Sequence, residues 1–111
     1  MSLFSNLMGK QSKNINAVEL KEKMDAKTPN VFYLDVRTPA EFKSTSIKGF
    51  KNIAVDQVPS RLNEIPKDKE VVVICQSGAR SSSAVRFLSQ NGYENILNVS
   101  GGMGSWMMHK F

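Results

Sequence analysis

The sequence has very few of the residues that cross-link small domains or hold metals. One cysteine and one histidine occur among its 111 residues. A single cysteine excludes a disulfide within the chain, and this pair of residues cannot supply the four side chains that a structural zinc ion needs. We therefore expect no disulfide framework, no metal and no other cofactor. The neighbours of the lone cysteine have to show whether it is a small buried hydrophobe or a reactive thiol.

Long apolar runs are also missing. No stretch reaches the roughly 18 apolar residues that a membrane-spanning helix needs, and the first ten residues lack the basic start and apolar middle of a secretory signal. We therefore expect a cytoplasmic protein that does not span a membrane, and membrane contact is disfavoured. The net charge of +5 can draw small anions to a site, but no cluster interleaves basic with aromatic residues, so no nucleic-acid partner is expected.

Hydrophobic residues make up 41% of the chain, which is enough to bury one compact core. We assign residues 15–111 to this domain and residues 1–14 to a partly flexible N-terminal tail. Four apolar residues of the tail are separated by about one helical turn, namely Leu3, Phe4, Leu7 and Met8. This spacing leaves open a frayed tail, a short amphipathic helix packed on the domain or on a partner, and contact with a membrane surface.

Strand and helix patterns alternate through the domain. The apolar or β-branched runs that predict strands are residues 31–36, 52–55, 71–74 and 95–99. The helical patterns cover residues 17–25, 58–65 and 81–91, with a short helix that begins at Pro39. Helices between strands require crossover connections, which predict an α/β fold with a mostly parallel sheet. In such sheets the reactive groups gather beyond the carboxyl ends of the strands.

The segment from Cys75 to Arg80 is the most informative part of the sequence. Cys75 follows the strongest predicted strand, and a helix is predicted from Ser81. Free thiols ionise near pH ~8.5, and a helix N-terminus with a nearby guanidinium favours the thiolate. Gly78 lets the backbone curl so that consecutive amides face the sulfur. Amides arranged in this way would also stabilise the negatively charged outer sulfur of a persulfide. The alternative is that Cys75 has no chemical role and is a buried residue at the end of a strand.

Three segments, in this order, resemble the signatures of the rhodanese-like domain family. Residues 34–42 (LDVRTPAEF) resemble the first signature, residues 73–81 (VICQSGARS) the active-site loop, and residues 99–106 (VSGGMGSW) the C-terminal signature. The resemblance extends over nearly all of residues 15–106. It is imperfect after the first signature, where Ser46 stands at a position that is usually histidine and Phe50 at one that is usually alanine.

The resemblance implies a five-stranded, mostly parallel sheet flanked by helices on both faces, and a sulfurtransferase activity. Cys75 would be the catalytic residue, which carries a sulfane sulfur as a persulfide. The substrate-binding cradle would consist of Gln76, Ser77, Gly78, Ala79 and Arg80.

The resemblance also implies supporting residues around this loop, namely Asp35, Arg37, Glu41 and Ser81. We expect an ion pair between Arg37 and Glu41 on the short helix, and we expect Asp35 to help hold the loop. Trp106 is expected to pack in the core, and His109 to lie in a flexible tail.

Two other functions remain open. Related phosphatases also place cysteine and arginine at the ends of an anion-binding loop, but with one residue more between them. Here four residues separate Cys75 from Arg80, and the smaller ring suits a single sulfur better than a phosphate. The second alternative is a non-enzymatic module that binds a partner or senses redox state.

The expected partners are small sulfur donors and acceptors. Thiosulfate, low-molecular-weight persulfides and polysulfides are the candidate donors, and cyanide, thiols and a sulfur-accepting protein are the candidate acceptors. Because Gln76 and Ser77 are neutral, Arg80 is the only cation within the predicted cradle, and we expect persulfides to serve at least as well as dianionic thiosulfate. We expect a monomer or a weak dimer.

Overall fold

The computed structural model describes residues 13–111, which contain one five-stranded sheet. The strands are β1 (Lys13–Ile15), β2 (Val31–Asp35), β3 (Lys51–Asn52), β4 (Glu70–Ile74) and β5 (Ile96–Val99). They stand in the order β1-β5-β4-β2-β3, and every neighbouring pair runs parallel. The α/β fold with a five-stranded parallel sheet is therefore confirmed.

Helices and 3₁₀ segments connect these strands. The helices are α1 (Ala17–Asp25), α2 (Pro39–Ser44), α3 (Ala79–Gln90) and α4 (Gly102–Met108), and the 3₁₀ segments are Val55–Gln57 and Pro59–Glu64. In this part of the chain no helix is long and apolar enough to cross a membrane.

The helices α1 and α2 begin with reciprocal caps. The Asn16 side chain accepts the Glu19 N–H at 2.8 Å, and the Glu19 carboxylate accepts the Asn16 N–H at 2.8 Å. Thr38 and Glu41 form the same pair of bonds at the start of α2, where Pro39 needs no hydrogen-bond partner for its nitrogen. The second cap fixes the position of Glu41, whose carboxylate also reaches the site described below.

The sheet separates two apolar cores, because side chains alternate between its faces along each strand. Val71, Val73 and Cys75 contribute to the core that includes residues of α3, whereas Val72 and Ile74 contribute to the core that includes residues of α1 and α4. Helices therefore cover both faces, as expected, and the side chain of Cys75 lies on the α3 side.

The strand β1 is an element that no pattern in the sequence predicts. Its residues Lys13 and Asn14 are exposed and polar, so the sequence alone places them in the N-terminal tail. The segment becomes a strand because it pairs with β5 at the sheet edge, where Ile15 lies opposite Val99. The four apolar tail residues, Leu3, Phe4, Leu7 and Met8, lie outside the described part of the chain.

Four other segments differ from what the sequence predicts. The strand predicted at residues 52–55 ends at Asn52, and residues 55–57 form a 3₁₀ turn in which the Val55 N–H binds the Val36 carbonyl at 3.1 Å. Residues 58–65 contain 3₁₀ turns instead of an α-helix, because the backbone kinks at Arg61. The glycine-rich segment after β5 forms α4, and α3 starts two residues earlier than predicted.

Candidate active site

Cys75 directly follows the strand β4 and lies at the carboxyl end of the sheet, beside the end of β2. Asp35, the last residue of β2, lies opposite the last residue of β4 in the parallel register. The residues that follow these two strands therefore share one edge of the sheet. Cys75 is 0% exposed, whereas the side chains of Gln76, Ser77 and Ala79 are exposed. The sulfur thus lies behind a short, solvent-facing loop.

Two hydrogen-bonding groups contact the sulfur of Cys75. The Gly78 N–H donates to Sγ at 3.0 Å, and the Ser81 hydroxyl oxygen lies 3.3 Å from Sγ. The same hydroxyl lies 3.1 Å from the Gly78 carbonyl oxygen. Because a hydroxyl has one proton to donate, the two forms of Cys75 use it differently. A thiol donates to Ser81, which then donates to the carbonyl, whereas a thiolate can accept the Ser81 proton itself.

The hydrogen bonds around Sγ favour ionisation of the thiol. Burial by itself raises the pKa of Cys75, because a thiolate loses its hydration in the core. Hydrogen bonds from the Ser81 hydroxyl and from the amides of Ser81, Gly78 and Ser77 outweigh burial and bring the pKa below its ordinary value. Of the loop amides, the Gly78 N–H donates to the sulfur at 3.0 Å. Their role in binding a substrate stays a prediction for the whole cradle, from Gln76 to Arg80.

The curvature of the loop depends on one glycine and on the helix that follows. Gly78 has φ of +109°, a backbone conformation that residues with a Cβ rarely adopt. The helix α3 begins at the next residue, so Ala79 and Arg80 belong to its first turn. The N-terminus of α3, with its partial positive charge, is thereby directed towards the loop that holds the sulfur.

The N-terminus of α4 holds the other side of the loop. The Met103 N–H donates to the Cys75 carbonyl at 2.8 Å, and the Gly104 N–H donates to the Gln76 carbonyl at 3.0 Å. Across a trans peptide bond the C=O and the following N–H point in opposite directions, so the amides after these carbonyls face away from α4. A Cβ at Gly102 would collide with the Cys75 carbonyl. Sequence reasoning placed Gly102 only within a family signature and missed this contact.

Arg37 is buried and pairs with Asp35. Arg37 Nη2 lies 2.8 Å from Asp35 Oδ2, and Nε lies 3.1 Å from both carboxylate oxygens. The guanidinium also donates to the carbonyls of Thr45, at 2.6 Å, and Glu41, at 3.4 Å. The predicted ion pair between Arg37 and Glu41 is therefore wrong, because Arg37 precedes α2 and turns back towards β2. Asp35 is linked to the cysteine loop indirectly, because its partner Arg37 has Nη1 at 3.5 Å from Gln76 Oε1.

The carboxylate of Glu41 binds Arg80 instead. Arg80 Nη1 lies 2.7 Å from Oε1 and Nη2 lies 2.9 Å from Oε2, so the guanidinium is held at two points. Arg80 and the Thr38 amide hold the pKa of Glu41 at about 2. The Glu41 hydrogen bond raises the pKa of Arg80, and the nearby charges of Cys75 and Asp35 add to this. The ion pair ties the cysteine loop to α2.

The two positions that depart from the family pattern have different surroundings. Phe50 is buried and packs against Tyr33, with ring centroids 5.1 Å apart. Ser46 is exposed and lines a groove of about 620 Å³ together with Trp106, away from the cysteine loop.

Trp106 is partly buried against the core on the α1 side, so its predicted packing role is confirmed. His109 is exposed and stacks on the ring of Phe111.

Comparisons with known proteins agree with this architecture. The family model described as rhodanese-like domain matches residues 16–109. A sulfurtransferase of Allochromatium vinosum is 40% identical, over 86% of this chain and 88% of that protein. The thiosulfate sulfurtransferase GlpE of Tolumonas auensis is 30% identical, over 70% of this chain and 74% of that protein. The crystal structure of a rhodanese-related protein from Thermoplasma volcanium superposes with a TM-score of 0.79 at 36% identity, covering 89% of this chain and 94% of that one.

Proposed function

The chain belongs to the rhodanese-like domain family, and from that premise we propose that it is a sulfurtransferase that carries a sulfane sulfur on Cys75. The observation that carries this proposal is the convergence of two hydrogen-bonding groups, the Gly78 N–H and the Ser81 hydroxyl, on one sulfur. Such donors stabilise a negative charge on sulfur, whether it is the thiolate or the persulfide formed from it.

The proposed reaction consists of two displacements. The Cys75 thiolate attacks the outer sulfur of thiosulfate, the S–S bond of the donor breaks, and sulfite leaves with the bonding electron pair. Cys75 then carries a persulfide anion. A thiolate or cyanide attacks the outer sulfur, and the Cys75 thiolate leaves in its original form. Each step is an exchange of nucleophiles at sulfur, of the kind that thiols and disulfides undergo.

The Gly78 N–H and the Ser81 hydroxyl, which contact Sγ, also suit the persulfide, because its negative charge sits one atom further out in the same loop. Formation of that sulfur–sulfur bond requires contact between the donor and Sγ. Since Cys75 is 0% exposed, the loop or its neighbours have to move before the donor can reach it. We propose that this local opening admits the donor, in the cytoplasm, where small thiols are available as acceptors.

Burial of Cys75 is also the observation that favours the alternative, a non-enzymatic module. In such a protein the sulfur would stay inaccessible to donors, and the exposed side chains of the loop would serve only as a surface. The two functions differ in whether the folded chain acquires sulfur.

Intact mass measurement separates the two functions. The folded protein is incubated with thiosulfate or with a polysulfide, the donor is removed, and the mass is recorded under non-reducing conditions. We expect a gain of one sulfur atom that dithiothreitol removes. The Cys75→Ser variant should show no gain, and no other cysteine can interfere. If several donors leave the wild-type mass unchanged, the module is the better description.

A further inference from the structure

Both guanidinium groups beside the cysteine loop are already paired with carboxylates. Arg37 lies against Asp35, with side chains that are 2% and 1% exposed, and Arg80 lies against Glu41. The formal charges of these four groups cancel. Arg37 cannot turn to a substrate, because its nitrogens are held by Asp35 and by two backbone carbonyls. Arg80 is the cation that a negatively charged donor could still use, since its side chain is 36% exposed.

The pair between Glu41 and Arg80 occupies the part of the guanidinium that binds oxyanions best. Two parallel N–H groups bind two oxygens of a carboxylate, sulfonate or phosphate group in a fork. In this structure Nη1 and Nη2 of Arg80 are both directed at Glu41. The oxygens of thiosulfate would therefore compete with the Glu41 carboxylate for the same two donors. Glu41 also belongs to the capping box at the start of α2, and its hydrogen bonds with Thr38 fix the position of its carboxylate.

We propose that Glu41 is a specificity-determining residue, which disfavours dianionic sulfur donors by neutralising Arg80. The inference rests on the proposed sulfurtransferase function and concerns the same site. With Arg80 neutralised, a dianion gains no more from the charged side chains of the loop than a monoanion does. The site then favours donors of low charge, such as persulfides and organic thiosulfonates, over thiosulfate.

Two donors of nearly equal size test this proposal. Thiosulfate is a dianion, and methanethiosulfonate is a monoanion in which a methyl group replaces one oxygen. With either donor, the Cys75 thiolate takes the outer sulfur, and sulfite or methanesulfinate leaves with the electron pair. The measurement is kcat/KM for each donor with cyanide as the acceptor, and the informative quantity is the ratio of the thiosulfate value to the methanethiosulfonate value.

The decisive variant is Glu41→Gln. Glutamine can also occupy the N3 position of a capping box, so α2 keeps its start while the charge is lost. We expect the ratio to rise roughly tenfold, which corresponds to about 1.4 kcal/mol of additional attraction for the dianion. The gain should shrink as salt is added, because screening weakens attraction at a partly exposed site. The matched control is Glu19→Gln, which changes the equivalent capping residue of α1 and should leave the ratio unchanged.

The possible outcomes test the role of Glu41 separately from the proposed sulfurtransferase function. If both donors load Cys75 and Glu41→Gln leaves the ratio unchanged, the inference is wrong and the sulfurtransferase function stands. If neither donor loads the wild-type protein, the function itself is wrong. Should Glu41→Gln fail to fold by circular dichroism, Arg80→Gln takes its place. That variant leaves Glu41 without its cation, so the ratio should fall below the wild-type value, and a ratio that stays equal or rises overturns the inference.

Discussion

The Ser81 hydroxyl has one proton and two neighbours that can accept it, the Gly78 carbonyl and the Cys75 thiolate. The residue contacts the sulfur although it lies in α3, beyond the loop itself. Its hydrogen bond is the first of the interactions that lower the pKa of Cys75 against the effect of burial. Ser81 therefore links the geometry of the helix start to the amount of thiolate present at neutral pH.

Replacement of Ser81 by alanine should raise the pKa of Cys75, because the thiolate loses a donor while burial is unchanged. A higher pKa means less thiolate below the wild-type midpoint, so alkylation by iodoacetamide should be slower there and should converge with wild type at high pH. The measurement is the pH profile of the alkylation rate. Ser82→Ala is the control, since the exposed Ser82 hydroxyl binds the same Gly78 carbonyl at 2.8 Å without contacting Sγ. Identical midpoints for Ser81→Ala and wild type would contradict this role.

A second prediction for single residues concerns the buried ion pair between Arg37 and Asp35. Arg37→Met keeps much of the volume but leaves the Asp35 carboxylate buried without its cation. We expect the free energy of unfolding in urea to fall by about 3–5 kcal/mol, as when one member of a buried ion pair is removed.

The control for this change is Arg61→Met, which breaks the surface pair between Arg61 and Glu64 and should leave stability close to wild type. Similar losses for the two variants would show that burial does not distinguish the pairs.

At the scale of elements, local sequence pattern accounts for much of the fold. The β-branched run of β4, the helical pattern of α1 and the proline that starts α2 are signals that a few neighbouring residues contain, and those elements form as predicted. The strand β1 has no such signal, because Lys13 and Asn14 become extended only by pairing with β5. The helix α4 has glycines at two of its first three positions, and their low helix propensity makes the helix hard to predict from the sequence. Contacts with the cysteine loop help to fix its position.

The same distinction applies to the site. The positions of Cys75 and its loop follow from a strand, a glycine and a helix start that are adjacent in the sequence. The pairing of the charged side chains does not follow from residues that are adjacent in the sequence. The family resemblance led us to expect a pair between Arg37 and Glu41, whereas the observed partner of Glu41 is Arg80, which is 39 residues away. Only the sheet register brings these two segments together.

The contact between α4 and the loop predicts unequal effects for two neighbouring glycines. In Gly102→Ala the new Cβ meets the backbone of Cys75 and Gln76, at a residue whose φ is +55°. We expect a loss of more than about 2 kcal/mol in the free energy of unfolding, together with faulty positioning of the loop and slower sulfur loading.

Gly104→Ala is the matched change in the same helix. Its Cβ would lie 3.5 Å from the Gln76 carbonyl oxygen, which is an ordinary contact. Because alanine favours helix over glycine, this variant should be as stable as wild type or gain up to about 1 kcal/mol. Equal losses in the two variants would show that the approach of α4 to the loop is not what requires a glycine.

At the scale of the whole molecule, the fold buries the sulfur that the proposed reaction has to expose. The side chain of Cys75 is part of the apolar core that includes residues of α3, and its polar contacts with Gly78 and Ser81 come from the loop and the start of that helix. The loop itself has exposed side chains and can move without disturbing the sheet, because its residues add little to either core. Reactivity should therefore depend on opening of the loop, which is a much smaller event than unfolding.

Alkylation in low concentrations of urea can distinguish these two events. If Cys75 reacts through a local opening, the logarithm of the alkylation rate should rise with urea far less steeply than the free energy of unfolding falls, because little surface is exposed. Both slopes are measured on the same protein, by quenched alkylation and by equilibrium unfolding. Equal slopes would mean that only the unfolded chain exposes the sulfur. In that case a folded enzyme could not use Cys75 as its nucleophile, and the burial of this residue would be purely structural.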